Sequence, residues 1–523
     1  MKRYDLIVIG AGPAGLSAAI EGAKAGMRTA LFDENEKPGG QLFKQIHKFF
    51  GSKEHKAKIR GINIGGELLK EAETAGVEVH LSSTVIGIYP EKCISVNRGD
   101  HIENYRAEAI IVATGAAERM IPFKGWDLPG VLGAGAAQTM MNLHGVMPGN
   151  KIVMMGTGNV GLVVSFQLLQ AGCQVEALID AAPRVGGYGV HAAKVARTGV
   201  PFYLSHTIVE AKGTDHVESV VIGQVDEKFR IIPGTEKEME ADTVCVAVGL
   251  NPMSQLVRMT GCEMKEVGGL VPACDEYGAT SIPGIFAAGD VSGIEEASSA
   301  MIEGHITGLA AAKYAGWIEE DTFKTQVEER TASLEKLRQG MFAPQNKGKK
   351  IEKTDEGLPV SASLLERGYM DANEMETYPG VVKKEGVHPV IECSQNIPCD
   401  PCQEACPFGC IKVGERITDL PAVTEDSVCK NCGACVAACP GQAIFLVNED
   451  EDGTYGTVTL PYEFLPLPQA GDRGKGLDRS GRPVCDAEVV KVQDTNAFDK
   501  TAVLTMRVPR EYAMTARFFK KEV

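Results

Sequence analysis

The 523-residue sequence contains no uninterrupted apolar run of about 18 residues, so it offers no candidate membrane-spanning helix. Nor is a secretory leader expected. Met1 to Arg3 are basic and an apolar run follows, but Asp5 and the glycines at 10, 12 and 15 break that run. Positive charge is in deficit: 53 Lys and Arg stand against 69 Asp and Glu, a formal net charge of −16. That balance argues against a broad nucleic-acid or membrane surface, since both need a basic face. The ten histidines do not cluster at metal-ligand spacing, and there is no solenoid repeat or low-complexity tract. Cysteine is scarce as well, except in one place. Nine of the 15 fall between Cys393 and Cys439, whereas Cys93, Cys173, Cys245, Cys262, Cys274 and Cys485 stand alone. Clustered cysteines without a leader point to metal ligation in a reducing compartment, and a cytoplasmic protein is expected.

What the sequence does have is a strand-turn-helix-strand pattern, twice. Leu6–Ile9 is a short apolar run that suits a strand buried on both faces, followed by Gly10-Ala-Gly12-Pro-Ala-Gly15 and an Ala-rich helical stretch. Thr29–Phe32 is the next strand, and it ends at Asp33. The copy runs Ile152–Met155, Gly156-Thr-Gly158-Asn159-Val-Gly161, a helix to about Ala171, then Val175–Ile179 ending at Asp180. In G-x-G-x-x-G the first glycine makes the tight turn, the second lets a pyrophosphate approach the backbone, and the third lets helix and strand pack closely. The helix N-terminus then offers free N–H groups to the phosphates. The acid that would take the ribose hydroxyls lies 18 residues after Gly15 and 19 after Gly161.

Three further strands end in glycine: Ile110–Gly115, Val244–Gly249 and Ile285–Asp290. The last of these returns after the second unit has ended, so the first domain is expected to be discontinuous with the second inserted into it. From Glu319 to about Glu356 the chain is strongly charged, which predicts a solvated helix crossing to another module. The expected fold is α/β, with two Rossmann-like doubly wound domains, a ferredoxin-like α+β module and a small β-rich tail. The expected boundaries are 1–120 with 248–316, 121–247 for the inserted domain, 317–380 for a helical connector, 381–450 for the cysteine module and 451–523 for the tail.

The cysteine module carries the most specific spacing. Cys429-x-x-Cys432-x-x-Cys435-x-x-x-Cys439-Pro matches the bacterial ferredoxin run, in which three thiolates hold one [4Fe-4S] cluster and the fourth reaches the other. The upstream half, Cys393-x5-Cys399-x-x-Cys402-x-x-x-Cys406-Pro, keeps the later spacing but stretches the first gap, with Asn396 where the regular pattern has cysteine. The exchange rule assigns Cys393, Cys399, Cys402 and Cys439 to one cluster and Cys406, Cys429, Cys432 and Cys435 to the other. Cys410 is left over, and is the substitute should the irregular half not use Cys393. A single-cluster version, with the upstream half degenerate, is also open.

These motifs resemble a known superfamily. Gly10 to Gly15, Gly39-Gly40-Gln41, Ala113-Thr114-Gly115 and Ala288-Gly289-Asp290 are similar to the FAD half of the two-dinucleotide flavoprotein reductases, which include thioredoxin reductase. The resemblance implies that Asp290 bonds the ribityl chain of FAD and that the helix starting near Glu296–Ala297 aims its N-terminus at the flavin pyrimidine. The second half, with Gly156, Gly158, Asn159, Gly161, Asp180 and Gly249, resembles the NAD(P) half; Asp180 favours NAD, and Arg184 leaves NADP open. Thioredoxin-reductase-like enzymes carry a redox Cys-x-x-Cys beside the flavin, and the isolated cysteines here do not supply one. Disulfide reduction is therefore not expected, and Cys173 and Cys245 read as packing residues. His305 reads as a polar helix position.

Domain order, together with Pro38–Gln41 and Trp126–Val131, further resembles the alpha subunits of heteromeric amine and amino-acid dehydrogenases: sarcosine oxidase, opine and hydroxyproline dehydrogenases and hydrogen cyanide synthase. Many relatives carry a [2Fe-2S] module where this chain has the ferredoxin spacing. The resemblance implies a hetero-oligomer in which an FAD-containing beta-type subunit oxidises a C–N bond, and it leaves room for a further small subunit. This chain would move electrons between that beta-type partner, two [4Fe-4S] clusters, FAD and NAD(H). No catalytic base or substrate clamp is identifiable in the sequence. Two other readings stay open: a self-sufficient NAD(P)H:ferredoxin or quinone-type reductase, and a non-catalytic redox scaffold.

Overall fold

The structure is a computed structural model and describes residues 1–339 and 361–522. In chain order, the first segment forms β1 (Lys2–Ile9), α1 (Pro13–Lys24), β2 (Thr29–Phe32), β3 (Glu78–His80), β4 (Thr84–Tyr89), β5 (Cys93–Asn97) and β6 (Ile102–Val112). Next come β7 (Val131–Gly133), β8 (Lys151–Met155), α2 (Asn159–Gln170), β9 (Gln174–Asp180), α3 (Gly189–Ala196), β10 (Phe202–Leu204) and β11 (Thr243–Val246). The chain then makes β12 (Ile285–Ala287), α4 (Ala297–Tyr314) and α5 (Glu320–Leu337). The last part holds β13 (His388–Ile391), α6 (Pro401–Ala405), α7 (Ala434–Ala438), β14 (Ile444–Asn448), β15 (Tyr455–Tyr462), β16 (Arg473–Leu477), β17 (Pro483–Gln493), β18 (Ala502–Pro509) and β19 (Phe518–Lys521).

These elements divide into two compact units, Met1–Glu118 with Leu250–Lys353, and Arg119–Gly249 with Thr354–Val523. The first unit is built on a sheet in the order β3-β2-β1-β6-β5-β4, with β12 also on β6. The β1/β2, β2/β3, β1/β6 and β12/β6 pairs are parallel. Leu6, Ile7 and Val8 of β1 have no exposed surface, which is why that strand reads as a continuous apolar run. Helices α1 and α4 pack against each other through glycine: a Cβ on Gly304 would lie 2.1 Å from the Ala14 carbonyl oxygen, and one on Gly308 2.5 Å from that of Ala18. Helix α5, expected to be solvated, instead lays Phe323, Val327 and Leu334 on this core and leaves its charged face to solvent. The rest of that expected helix, from residue 340 on, falls outside the described residues.

In the second unit a five-stranded sheet runs β10-β9-β8-β11-β7, all parallel. A second sheet, β13-β14-β15-β18-β17-β16-β19, is antiparallel throughout. The expected boundary at residue 450 falls between β14 and β15, which pair directly, with Leu446 opposite Thr459. Cysteine module and tail therefore share one sheet and one core, in which Val390, Val447, Val458 and Leu504 have no exposed surface. The inserted nucleotide fold and the C-terminal half also pack as one body. Phe166 of α2 meets Phe464 edge-on at 5.3 Å, and the Val185 N–H donates to the Leu365 carbonyl at 2.7 Å.

Candidate functional site

The two glycine-rich turns have the same geometry. Gly10 and Gly156 sit at φ +105° and +113°, and a Cβ there would lie 2.3 Å from the Ala113 and 2.2 Å from the Ala247 carbonyl oxygen. The third glycines are tighter still: a Cβ on Gly15 would be 1.8 Å from the Gly10 oxygen, and one on Gly161 2.0 Å from the Gly156 oxygen. The middle glycines are the open ones. Nothing stands within 4 Å of a Cβ on Gly158, and the nearest atom to one on Gly12 is the Gly40 Cα at 4.0 Å. Each turn thus closes on the protein at its two ends and leaves the backbone bare at its centre, just before a helix whose N-cap is Gly12 or Gly158. That leaves free helix N–H groups beside an open backbone, the arrangement that receives a phosphate.

Each turn is tied to its strand-end acid. Asp33 accepts the Ala11 N–H at 2.5 Å, and its second oxygen accepts the Asn35 backbone N–H and side-chain amide, both at 2.8 Å. Asp180 accepts the Thr157 N–H at 2.7 Å and hydroxyl at 2.6 Å, and the Ala182 N–H at 2.9 Å. A carboxylate has about four acceptor positions, so each acid retains capacity for a further donor. In the first unit the Gly39 N–H donates to the Ala11 carbonyl at 2.6 Å, bringing Gly40 and the exposed Gln41 beside the turn. Thr114 donates its hydroxyl to the Met253 carbonyl at 2.7 Å, and Gly115 stands at φ +71° just beyond β6. The Gly289 N–H donates to Glu303 at 3.1 Å, and Asp290 accepts the Glu295 N–H at 3.1 Å just ahead of α4, which begins at Ala297. In the second unit Asn159 accepts the Tyr188 N–H at 2.7 Å, and the Gly249 carbonyl accepts the Arg119 N–H. His305 bonds Glu21 at 2.6 Å on the α1/α4 contact.

The cysteine region repeats a small motif. Helices α6 and α7 each carry a cysteine at their second position, Cys402 and Cys435, and each is capped by another, Cys406 and Cys439. Each capping sulfur accepts an N–H from four residues on, Cys410 N to Cys406 Sγ at 3.3 Å and Ala443 N to Cys439 Sγ at 3.4 Å. The thiols interact across the repeat. Cys393 is influenced by Cys439 and Cys402, while Cys435 is influenced by Cys406, Cys429 and Cys432, and also by Cys402. Burial, reinforced by these neighbours, pushes the Cys393 and Cys435 thiols far up and Cys402 to about 12. Backbone N–H groups offset part of the same effect at Cys439. Cys399 precedes α6, with its N–H on the Ile417 carbonyl, and Cys410 is buried beside Cys406. Among the described residues no three His, Cys, Asp or Glu side chains close on a single metal ion.

Two features were not visible in the sequence. The hairpin register Met264↔Pro272 and Lys265↔Val271, continued by the Ala273 N–H to Glu263 carbonyl bond, sets Cys262 opposite Cys274. Burial, with Cys262 beside it, pushes the Cys274 thiol up to about 12, so at neutral pH it is protonated and a poor nucleophile. Lys44, in the turn after Gln41, is held below the usual lysine range by burial, with Glu118 opposing. A cross-strand pair 12 residues apart can be found from sequence only once the hairpin register is known.

Among the described residues no helix is long and apolar enough to cross a membrane. Residues 4–304 match the family model described as pyridine nucleotide-disulphide oxidoreductase. An opine oxidase subunit of Agrobacterium tumefaciens is 31% identical over 360 residues, covering 64% of this chain and 71% of that protein. Hydrogen cyanide synthase subunit HcnB of Pseudomonas aeruginosa is 27% identical, covering 58% and 70% respectively. In fold, the chain is similar to thioredoxin reductase of Lactococcus lactis, with a TM-score of 0.51 and 24% identity over 60% of this chain and all of that one. A match that runs through both glycine-rich turns and the Ala288–Asp290 segment places the chain in the pyridine nucleotide-disulphide oxidoreductase family, as an FAD-dependent oxidoreductase.

Proposed function

We propose that the chain is the electron-transferring subunit of a heteromeric amine or amino-acid dehydrogenase, linking a partner flavoprotein subunit, two [4Fe-4S] clusters, FAD and NAD(H). The observation that carries this reading is the sorting of the thiols. Cys402 on α6 is influenced by Cys439 after α7, and Cys435 on α7 by Cys406 after α6 ahead of Cys402, which supports the crossed assignment of a two-cluster ferredoxin. The donor chemistry fits as well. Buried thiols held far above neutrality by desolvation and by one another need a positive core before they can ionise, and a multi-iron core spreads its ligands more widely than one ion does. Similarity to proteins named as subunits of opine oxidase and hydrogen cyanide synthase supports the heteromeric part.

In this reading Gly10, Gly12 and Gly15 with the α1 N-terminus hold the FAD pyrophosphate, and Asp33 takes its ribose. Gly40, Gln41, Thr114, Gly115, Gly289, Asp290 and Ala297 line the rest of that site. Gly156, Gly158, Asn159, Gly161, Asp180 and Gly249 receive the nicotinamide nucleotide. Cys393, Cys399, Cys402 and Cys439 hold one cluster, and Cys406, Cys429, Cys432 and Cys435 hold the other. Bound flavin and clusters supply one- and two-electron carriers in a single chain. The Ala443 and Cys410 N–H groups stabilise negative charge on the capping sulfurs. The test is iron, labile-sulfide and nucleotide analysis of anaerobically purified protein. Two clusters and one FAD per chain are expected, and flavin without iron would remove the cluster half of the reading.

A further inference from the structure

In the second unit a small cavity, about 20 Å3 in volume, opens between α3, the Leu364–Met375 segment and the C-terminal sheet. Its polar wall is Arg197, Arg479, Arg517 and Glu392, so three guanidinium groups face one carboxylate. Glu392 is shared, accepting Arg479 Nη2 at 2.7 Å and Arg517 Nε at 2.5 Å. Arg197 is also influenced by Cys439 and by Glu463, whose carboxylate accepts the Thr501 hydroxyl and the Gln170 amide. Arg197 directs its donors to the Gln442 carbonyl and amide oxygens at 2.9 and 3.2 Å. Arg517 stands 5.0 Å over the Phe445 ring and gives Nη1 to the Ala513 and Ala516 carbonyls.

One donor is left over. Arg517 Nη2, on a side chain with no exposed surface, meets no acceptor among the described residues. Gln395 Nε2 is also buried without an acceptor, and its Oε1 accepts the N–H of Gly189 on the cavity wall at 2.7 Å. A buried guanidinium donor without a partner costs the full desolvation of a charged group. A water molecule would supply an acceptor but would leave the surplus positive charge uncompensated. An oxyanion supplies both, and the planar fork of arginine matches it.

We propose that this cavity receives one oxygen of a small oxyanion, a phosphate or carboxylate group, on Arg517, with Arg479 and Arg197 around it. No cysteine lines the cavity, although Arg197 also lies in the field of Cys439. Because the ligand binds only the folded unit, it stabilises that unit by mass action.

The test uses the full chain, with thermal unfolding and calorimetry against inorganic phosphate and against acetate, ionic strength held constant with chloride. Saturable binding of at least one of the two at one site per chain is expected, weakened tenfold or more in Arg517→Gln. Ala193→Leu, which narrows the cavity without changing charge, is expected to weaken it similarly and decides the matter if Arg517→Gln does not fold. Phosphate alone would identify a phosphate group, and acetate alone a carboxylate. No saturable effect beyond chloride, or wild-type affinity in Ala193→Leu, overturns the proposal.

Discussion

Glu392 shows how much one side chain can hold. Burial alone would raise its carboxyl, but the Arg479 and Arg517 guanidiniums beside it hold it at about 2, against an ordinary value near 4.5. The folded value lies below the unfolded one, so its stabilisation is complete above about pH 4.5 and drains away as the pH falls toward 2. The difference amounts to about 3 kcal/mol, to be read by denaturant unfolding of the second unit across that window. Glu392→Gln should remove the pH dependence and cost about 3–5 kcal/mol at neutral pH, because it leaves two buried guanidiniums without their partner. The cysteines give a second test at this scale. Cys402→Ser and Cys435→Ser each remove a thiol from a different group, so each should abolish one set of cluster signals in low-temperature EPR and spare the other. Loss of both sets from either variant would contradict the two-group assignment. Individual acids were legible in the sequence because Asp33 and Asp180 end strands at a fixed distance from a turn. Glu392, Arg479 and Arg517 were not, because they meet only when a sheet closes across 125 residues of chain.

At the scale of elements, the glycine-rich turns separate glycines that close on the protein from the one that leaves the backbone open, where the proposed reading puts the nucleotide. Gly161→Ala places a methyl 2.0 Å from the Gly156 oxygen and should destabilise the second unit by about 3 kcal/mol or more, read as a lowered Tm. Gly158→Ala meets no protein atom within 4 Å, so it should unfold like wild type, yet weaken nicotinamide nucleotide binding in calorimetry. Equal loss of Tm in both would contradict the roles assigned to them. The turns could be read from sequence because strand, glycine spacing, helix and acid are all local in the chain. The C-terminal boundary could not. β14 and β15 look like the end of one module and the start of another, and only their pairing, and that of β15 with β18, shows one continuous sheet. Helix α5 departs from its composition for a related reason: the segment is charged overall, but three residues on one face are enough to bury it.

For the whole molecule, the first unit keeps its sheet although the chain leaves it at Glu118 and returns at Leu250, because β12 pairs with β6 in parallel after the excursion. Such a return is visible in sequence as a late glycine-ended strand, and the expected discontinuity of the first domain followed from it. Packing of the inserted nucleotide fold with the cysteine-bearing half in one unit could not be read that way, since it depends on contacts such as Arg197 with Gln442 and Phe166 with Phe464. Those contacts bring the cation of Arg197 into the field of Cys439. The central claim is that this chain carries electrons for a partner that performs the oxidation. Its most direct measurement is anaerobic purification of the tagged chain from its native host, with the flavin content and the polypeptide composition of the eluate determined. A second, FAD-containing polypeptide in fixed ratio, whose amine or amino-acid substrate reduces this chain's chromophores, is the predicted result. A chain that elutes alone, with its flavin reduced rapidly by NADH and turning over a one-electron acceptor, would contradict it.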